Sequence, residues 1–245
     1  MGIWEIGLIG LLTGVLGTTI GGLSVLLWGK PKDKTLSAML GFAGGIMMAI
    51  IFIELLPEAF EIGSFIPGFI GMLLGILLIL SLDVILPHTH FFDSSDVNSR
   101  FIKTGAVLTL GVALHNLPEG LAIGTGYIAG TELGLTLAFI MFIQNIPEGM
   151  ALAAPLFAGG VSRKKIATIT ALAGLPMGIG AFIGAFIGNV SDVVLSMGLG
   201  FAAGAMLFIV FDEIIPSAHR LGKGHEPALG ALFGVLVGIV IASLH

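Results

Sequence analysis

Runs without a single Asp, Glu, Lys or Arg occupy residues 6–29, 35–53, 62–82, 166–191, 193–211 and 227–245. Each is close to or above the ~20 apolar residues that a helix needs to cross a bilayer core. Two further runs, 104–131 and 133–162, are interrupted by one acid each, Glu119 and Glu148. A chain with 56% hydrophobic and 10% charged residues carries too few charges for an ordinary soluble domain, where about a quarter are charged. The pattern predicts an all-α integral membrane protein with eight transmembrane helices over approximately 5–29, 35–60, 65–87, 101–127, 131–158, 163–189, 193–220 and 226–245, forming one domain over 1–245. The start, Met1 to Glu5, lacks a basic segment, so the first run is expected to be a retained helix. No room is left for a soluble catalytic domain, and no cysteine is present for disulfides, thiolate metal sites or a thiol nucleophile.

Charge placement predicts orientation. Lys30, Lys32 and Lys34 follow the first helix, Arg100 and Lys103 the third, Arg163, Lys164 and Lys165 the fifth, and Arg220 and Lys223 the seventh. All ten cations of the chain therefore fall on one side, which the positive-inside rule makes cytoplasmic. Both termini are expected on the non-cytoplasmic side.

Residues 41–60 (GFAGGIMMAIIFIELLPEAF) align without gaps on residues 200–219 (GFAAGAMLFIVFDEIIPSAH), with ten identical positions, among them Met47, Glu54 and Pro57. The copies lie in helices two and seven, which must run in opposite directions. That is an inverted repeat, a common basis for alternating access in secondary transporters. A second pair, HNLPEG at 115–120 and QNIPEG at 144–149, sits in helices four and five. The expected arrangement is three helices, a central inverted pair, and three helices.

Helical spacing puts His115, Asn116 and Glu119 on one face, and Gln144, Asn145 and Glu148 on another. Both sets fall near mid-membrane. A carboxylate there costs about 2.5–3.5 kcal/mol on insertion scales, and neither helix interior offers a Lys or Arg to offset it. A divalent cation would compensate both charges, with one imidazole, two carboxylates and three amides as ligands. Such a set suits Zn2+ and the related Fe2+, Mn2+, Co2+ and Cd2+. Pro118 and Pro147 each remove a helix hydrogen bond and can free the carbonyls of Leu114 and Ile143 toward a cavity. A single membrane His, Asn or Gln is more often interhelical glue worth about 1 kcal/mol, but two copies of x-N-x-P-E-G at matching depth are poorly explained that way. The Gly180, Gly184 and Gly188 series reads as close helix packing.

Further acids lie toward both mouths: Glu54, Glu58 and Glu61 at the outer end of helix two, and Asp212 and Glu213, with His219, at the inner end of helix seven. Asp83 could join the inner group. Each is about equally well read as a solvated interfacial side chain. His88, His90 and His225 read as loop histidines.

With these motifs in place the chain resembles the ZIP (Zrt/Irt-like) metal transporters, especially their GufA-like prokaryotic branch. HNLPEG, QNIPEG, the ELLPE and DEIIP segments and LDVILPHTH at 82–90 carry the resemblance. It implies import of zinc or related divalent metal as transported substrate, through a central site of His115, Asn116, Glu119, Gln144, Asn145 and Glu148. It also implies Met47 as a further ligand, and Asp83, Asp212 and Glu213 along the exit path. Other members carry His at the place of Gln144 or Asp at that of Asn145, so this chain is poorer in imidazole and acid. The resemblance further implies a homodimer in a bacterial or archaeal inner membrane, with helices one, four, five and six sliding against two, three, seven and eight. No ATP or nucleic-acid partner is expected, since there is no GxxxxGK[ST] loop or domain to host one. The alternative is an intramembrane zinc hydrolase using the same ligands, which lacks an HExxH motif.

Overall fold

The computed structural model describes residues 1–85 and 97–243, with side chains outside positions 82–101, 103, 104 and 107. Its helices are α1 (Ile3–Trp28), α2 (Asp33–Gly63), α3 (Phe65–Ile85), α4 (Val97–Ala129), α5 (Thr131–Ala158), α6 (Arg163–Gly188), α7 (Asp192–Leu221) and α8 (Glu226–Ala242). There is no strand among the described residues. The chain folds as an all-α membrane protein: α1, α2, α5, α6 and α7 are each long and apolar enough to cross a bilayer by themselves, and Phe65–Ser81 and Glu226–Ala242 are shorter apolar helices.

Local chemistry sets the ends. Glu5 accepts a hydrogen bond from the Gly2 N–H at 2.8 Å where α1 begins, and Gly29, at φ +86°, ends it. Lys30 and Asp33 then pair at 2.9 Å across the turn into α2. Gly160, at φ +79°, turns α5 into α6. Ser191 accepts from Val194 N–H at the start of α7.

Glycine brings the backbones together. A Cβ on Gly120 or Gly124 would collide with the carbonyls of Met177 and Ala181, and one on Gly180 or Gly184 with those of Leu117 and Leu121, so α4 and α6 lie parallel in direct contact. Gly188 instead faces the side chains of Leu195 and Ile128. α1 runs parallel to α5 through Gly17, Gly21 and Gly149, and antiparallel to α6 through Gly10, Gly14 and Gly174. These four helices form one half. The other half pairs α2 with α8 through Gly41, Gly45, Gly230 and Gly234, and α3 with α7 through Gly71, Gly75, Gly200 and Gly204. The large side chains on the far face of α8, such as Leu229, Phe233 and Leu236, point outward, as a lipid-facing surface requires.

The inverted repeat extends well beyond the twenty aligned residues. Gly41 abuts the Pro227 carbonyl, and Gly200, 159 positions on, abuts that of Gly68; Gly230 meets Ala38, and Gly71 meets Met197. Each repeat thus packs its second helix on the third helix of the other. Ser37 Oγ donates to the Ala218 carbonyl at 2.8 Å and Ser196 Oγ to the Ala59 carbonyl at 2.6 Å, again equivalent positions exchanged between repeats. Both long helices also loosen to a π-turn at matching places, Ile51–Leu55 and Val210–Ile214. The Leu56 N–H reaches the Ile51 carbonyl and the Ile215 N–H the Val210 carbonyl, five residues back. Pro57 and Pro216, which follow immediately, have no N–H to donate and would crowd the carbonyl four residues earlier, so the widened turn absorbs the clash.

The directions of these pairs put the C-termini of α1, α5 and α7 and the N-termini of α2, α4, α6 and α8 at one end of the bundle. Lys34 pairs with Glu226 at 3.0 Å there, tying α2 to α8. Lys30, Lys32, Arg163, Lys164, Lys165, Arg220 and Lys223 belong to the same end.

Candidate metal centre

The two central motifs meet where α4 crosses α5. Gln144 lies 13 residues after Thr131 and 14 before Ala158, about 20 Å from either end of α5 at ~1.5 Å per residue. His115, Asn116, Glu119, Gln144, Asn145 and Glu148 are all buried, none exposing more than 4% of its surface. No Lys or Arg is buried with them among the described residues.

These side chains hold one another. Gln144 Nε2 donates to Glu119 Oε1 at 2.5 Å, joining the two motifs. Asn116 Nδ2 donates to the Ala173 carbonyl at 2.9 Å, and Asn145 Nδ2 points to Met177 Sδ at 3.7 Å, so both amides are fastened by α6 with their oxygens left facing away. His115 Nε2 lies 2.6 Å from Glu213 Oε2, a contact that crosses from one half of the molecule to the other. The Glu213 side chain sits in the π-turn of α7 and also covers Gly111 of α4.

What remains is a concentration of unsatisfied acceptors. Nine buried side-chain polar atoms have no partner among the described residues, and seven of them belong to this group: His115 Nδ1, Asn116 Oδ1, Glu119 Oε2, Gln144 Oε1, Asn145 Oδ1 and both oxygens of Glu148. Buried polar atoms are nearly always paired in folded proteins, and a cluster made almost wholly of oxygen acceptors has the chemistry to hold a cation. No three His, Asp or Glu side chains among the described residues are already arranged around a common metal position. The physical reason is visible in the contacts: the imidazole is turned to Glu213 and one Glu119 oxygen to Gln144.

The other residues singled out in the sequence are dispersed. Met47 is fully buried in the apolar core beside Ile46 and Ile50. Asp212 is exposed, one residue from Glu213 but on the outside of the turn. Glu54 and Glu58 are half-buried in α2, and Glu61 is exposed. His219 is exposed with Nδ1 3.0 Å from the Ile215 carbonyl, and His225 stands at the start of α8. Asp83, His88 and His90 lie outside the described side chains. Sequence reasoning missed the Ala173 carbonyl and Met177, which position the two asparagines; the available signal was Pro176, a mid-helix proline between them.

Fold and site together define a polytopic helical membrane protein whose inverted repeats enclose a polar, acid-bearing centre. The chain belongs to the ZIP family: the family described as ZIP Zinc transporter matches residues 89–245, and its members are transporters, not enzymes. Among curated relatives, the zinc transporter ZupT of Escherichia fergusonii is 32% identical over 229 residues, covering 90% of this chain and 89% of the relative. ZupT of Enterobacter sp. is 33% identical over 229 residues, with the same coverage. ZupT of Salmonella newport is 32% identical over 238 residues, covering 93% of each chain.

Proposed function

We propose that this chain is a secondary transporter that imports zinc, or a related divalent ion such as Fe2+, Mn2+, Co2+ or Cd2+, into the cytoplasm by alternating access. The observation that carries the reading is the set of seven buried, unpartnered acceptor atoms on six residues of two crossing helices. Kinship with chains named zinc transporters supports zinc as the cargo.

Zinc would enter between Glu119 and Glu148 and draw on His115 and the amide oxygens of Asn116, Gln144 and Asn145. Binding in this arrangement displaces Gln144 Nε2 from Glu119, while His115, held at Nε2 by Glu213, offers its unpartnered Nδ1. Met47 is a further ligand of the ion, and Glu213 then stands at the first step out of the centre, with Asp212 and Asp83 further toward the basic end. The basic end faces the cytoplasm of a bacterial or archaeal cell, both termini lie outside, and the protein works as a homodimer. The inverted repeat supplies two equivalent packings, opening to opposite sides, at similar energy.

The test is zinc entry into sealed proteoliposomes carrying an internal metal-sensitive dye. Flux is expected from the native chain and is expected to vanish for His115→Ala and for Glu119→Gln, with zinc binding lost in the Glu119→Gln/Glu148→Gln double variant while its helical content stays native. Undiminished binding in the double variant would sink the central site; binding without flux by the native chain would sink transport.

A further inference from the structure

At the basic end, α4, the end of α5 and the start of α6 enclose a groove of about 690 Å³, within the range of ~300–1,000 Å³ usual for small-ligand sites. Its wall is apolar, formed by Ala106, Leu156, Val161 and Ile169, and its rim is polar, with Lys165 and Ser162. The rim carries excess positive charge. Arg163, Lys164 and Lys165 occupy the first turn of α6 with no acid among them, an arrangement that opposes the helix dipole and leaves first-turn N–H groups pointing out. The neighbouring cations Lys30 and Lys34 are matched by Asp33 and Glu226, whereas no carboxylate pairs with the α6 trio among the described residues.

The repeat provides an internal comparison. A groove of about 340 Å³ on the same half is lined by Tyr127, Leu135 and Ala138, the positions equivalent to Leu156, Ala106 and Thr109. The counterpart of Lys165 is Ile6, which is buried and lines neither groove. The two grooves thus share three equivalent positions of the central pair and differ on the flanking helix, and of the two only the groove at the basic end has a cationic side chain in its lining. Basic pockets between helices on the cytoplasmic side are a recurrent form of anionic-lipid recognition.

We infer that this groove binds one anionic phospholipid, its acyl chain along Ala106, Leu156 and Ile169 and its phosphate at Lys165 and the first turn of α6. The lipid supplies a negative charge that no carboxylate among the described residues brings to the first turn of α6, and by bridging α4 to α6 it fastens the two helices that hold Asn116 and Ala173. The site is independent of the metal reading, because it needs neither motif glutamate.

The experiment is native mass spectrometry of the purified full chain with an equimolar mixture of phosphatidylglycerol and phosphatidylcholine of identical acyl chains. A preference for phosphatidylglycerol of about fivefold or more is expected. Lys165→Gln, an exposed position, should bring the ratio to about one. Ala106→Trp should fill the slot and abolish the preference, while Ala138→Trp in the opposite groove should leave it intact. A native ratio near one would overturn the inference. So would a preference that survives Ala106→Trp, since diffuse surface charge would then be enough, or equal competition by chain-free glycerophosphoglycerol, which would show a phosphate site with no role for the groove.

Discussion

Glu213 and Asp212 are adjacent in sequence and alike in chemistry, yet they have different surroundings. Glu213 Oε2 is 2.6 Å from the His115 ring, while Asp212 is exposed. A carboxylate that orients a metal-binding imidazole typically changes affinity about 10- to 100-fold when it is altered. Glu213→Gln keeps the size and an acceptor but removes the charge. It is therefore expected to weaken zinc binding by about 10- to 100-fold, measured by competition with a zinc-sensitive dye in detergent. Asp212→Asn should change it by less than about twofold, because a solvated exposed charge contributes little at a distance. Equal losses in both variants would indicate a diffuse electrostatic role in place of the imidazole contact. The six central residues were legible in sequence because a charge in an apolar run has few bland explanations. The difference between Asp212 and Glu213 was not, since it depends on which residue of a widened turn points inward.

At the scale of helices, the aligned block at 41–60 and 200–219 showed the repeat, whereas its extension into α3, α8 and the flanks of α2 and α7 had little sequence signal. The contacts explain why: Gly200 packs on the carbonyl of Gly68 and Gly41 on that of Pro227, and a carbonyl is present whatever the side chain. Only the glycine of each pair is constrained. The π-turns were hidden for a related reason, because Pro57 and Pro216 read equally well as kinks or as ends. Two stability predictions follow from the same geometry. Ser37→Ala and Ser196→Ala each remove one buried interhelical donor and should each cost about 0.5–1.5 kcal/mol, additively because the two sit at opposite ends of the bundle. Gly180→Val puts carbon into the Leu117 carbonyl and should cost more than about 2 kcal/mol, with loss of the Asn116 anchor at Ala173. Denaturant unfolding in mixed micelles reads both, and a Gly180→Val chain as stable as native would refute backbone contact between α4 and α6.

Taken as a whole, the molecule has tight contacts within each half and looser ones between them. Inside each half, glycines seat backbone on backbone. Across the seam, Gly198 meets the methyl of Thr125 and Glu213 meets Gly111 and His115, all through side chains. Side-chain seams can be remade at another register with little cost, whereas interlocked backbones cannot slide without passing through one another. If transport moves one half against the other, a covalent link across the seam should stop it and a link within a half should not. The chain has no cysteine of its own, so paired substitutions report cleanly. A Cβ on Gly198 would lie 2.9 Å from Thr125 Cγ2, and one on Gly188 would lie 3.3 Å from Ile128 Cβ, so both pairs approach disulfide reach. Oxidised Thr125→Cys/Gly198→Cys, joining α4 to α7, is expected to bind zinc but pass at most about a tenth of the native flux, restored by reduction; a loss of this size corresponds to about 1.4 kcal/mol or more added to the barrier. Oxidised Ile128→Cys/Gly188→Cys, joining the same α4 to α6, should transport normally. Full flux through the cross-seam disulfide would mean that the ion crosses a fixed frame, and the protein would then have to be treated as a channel.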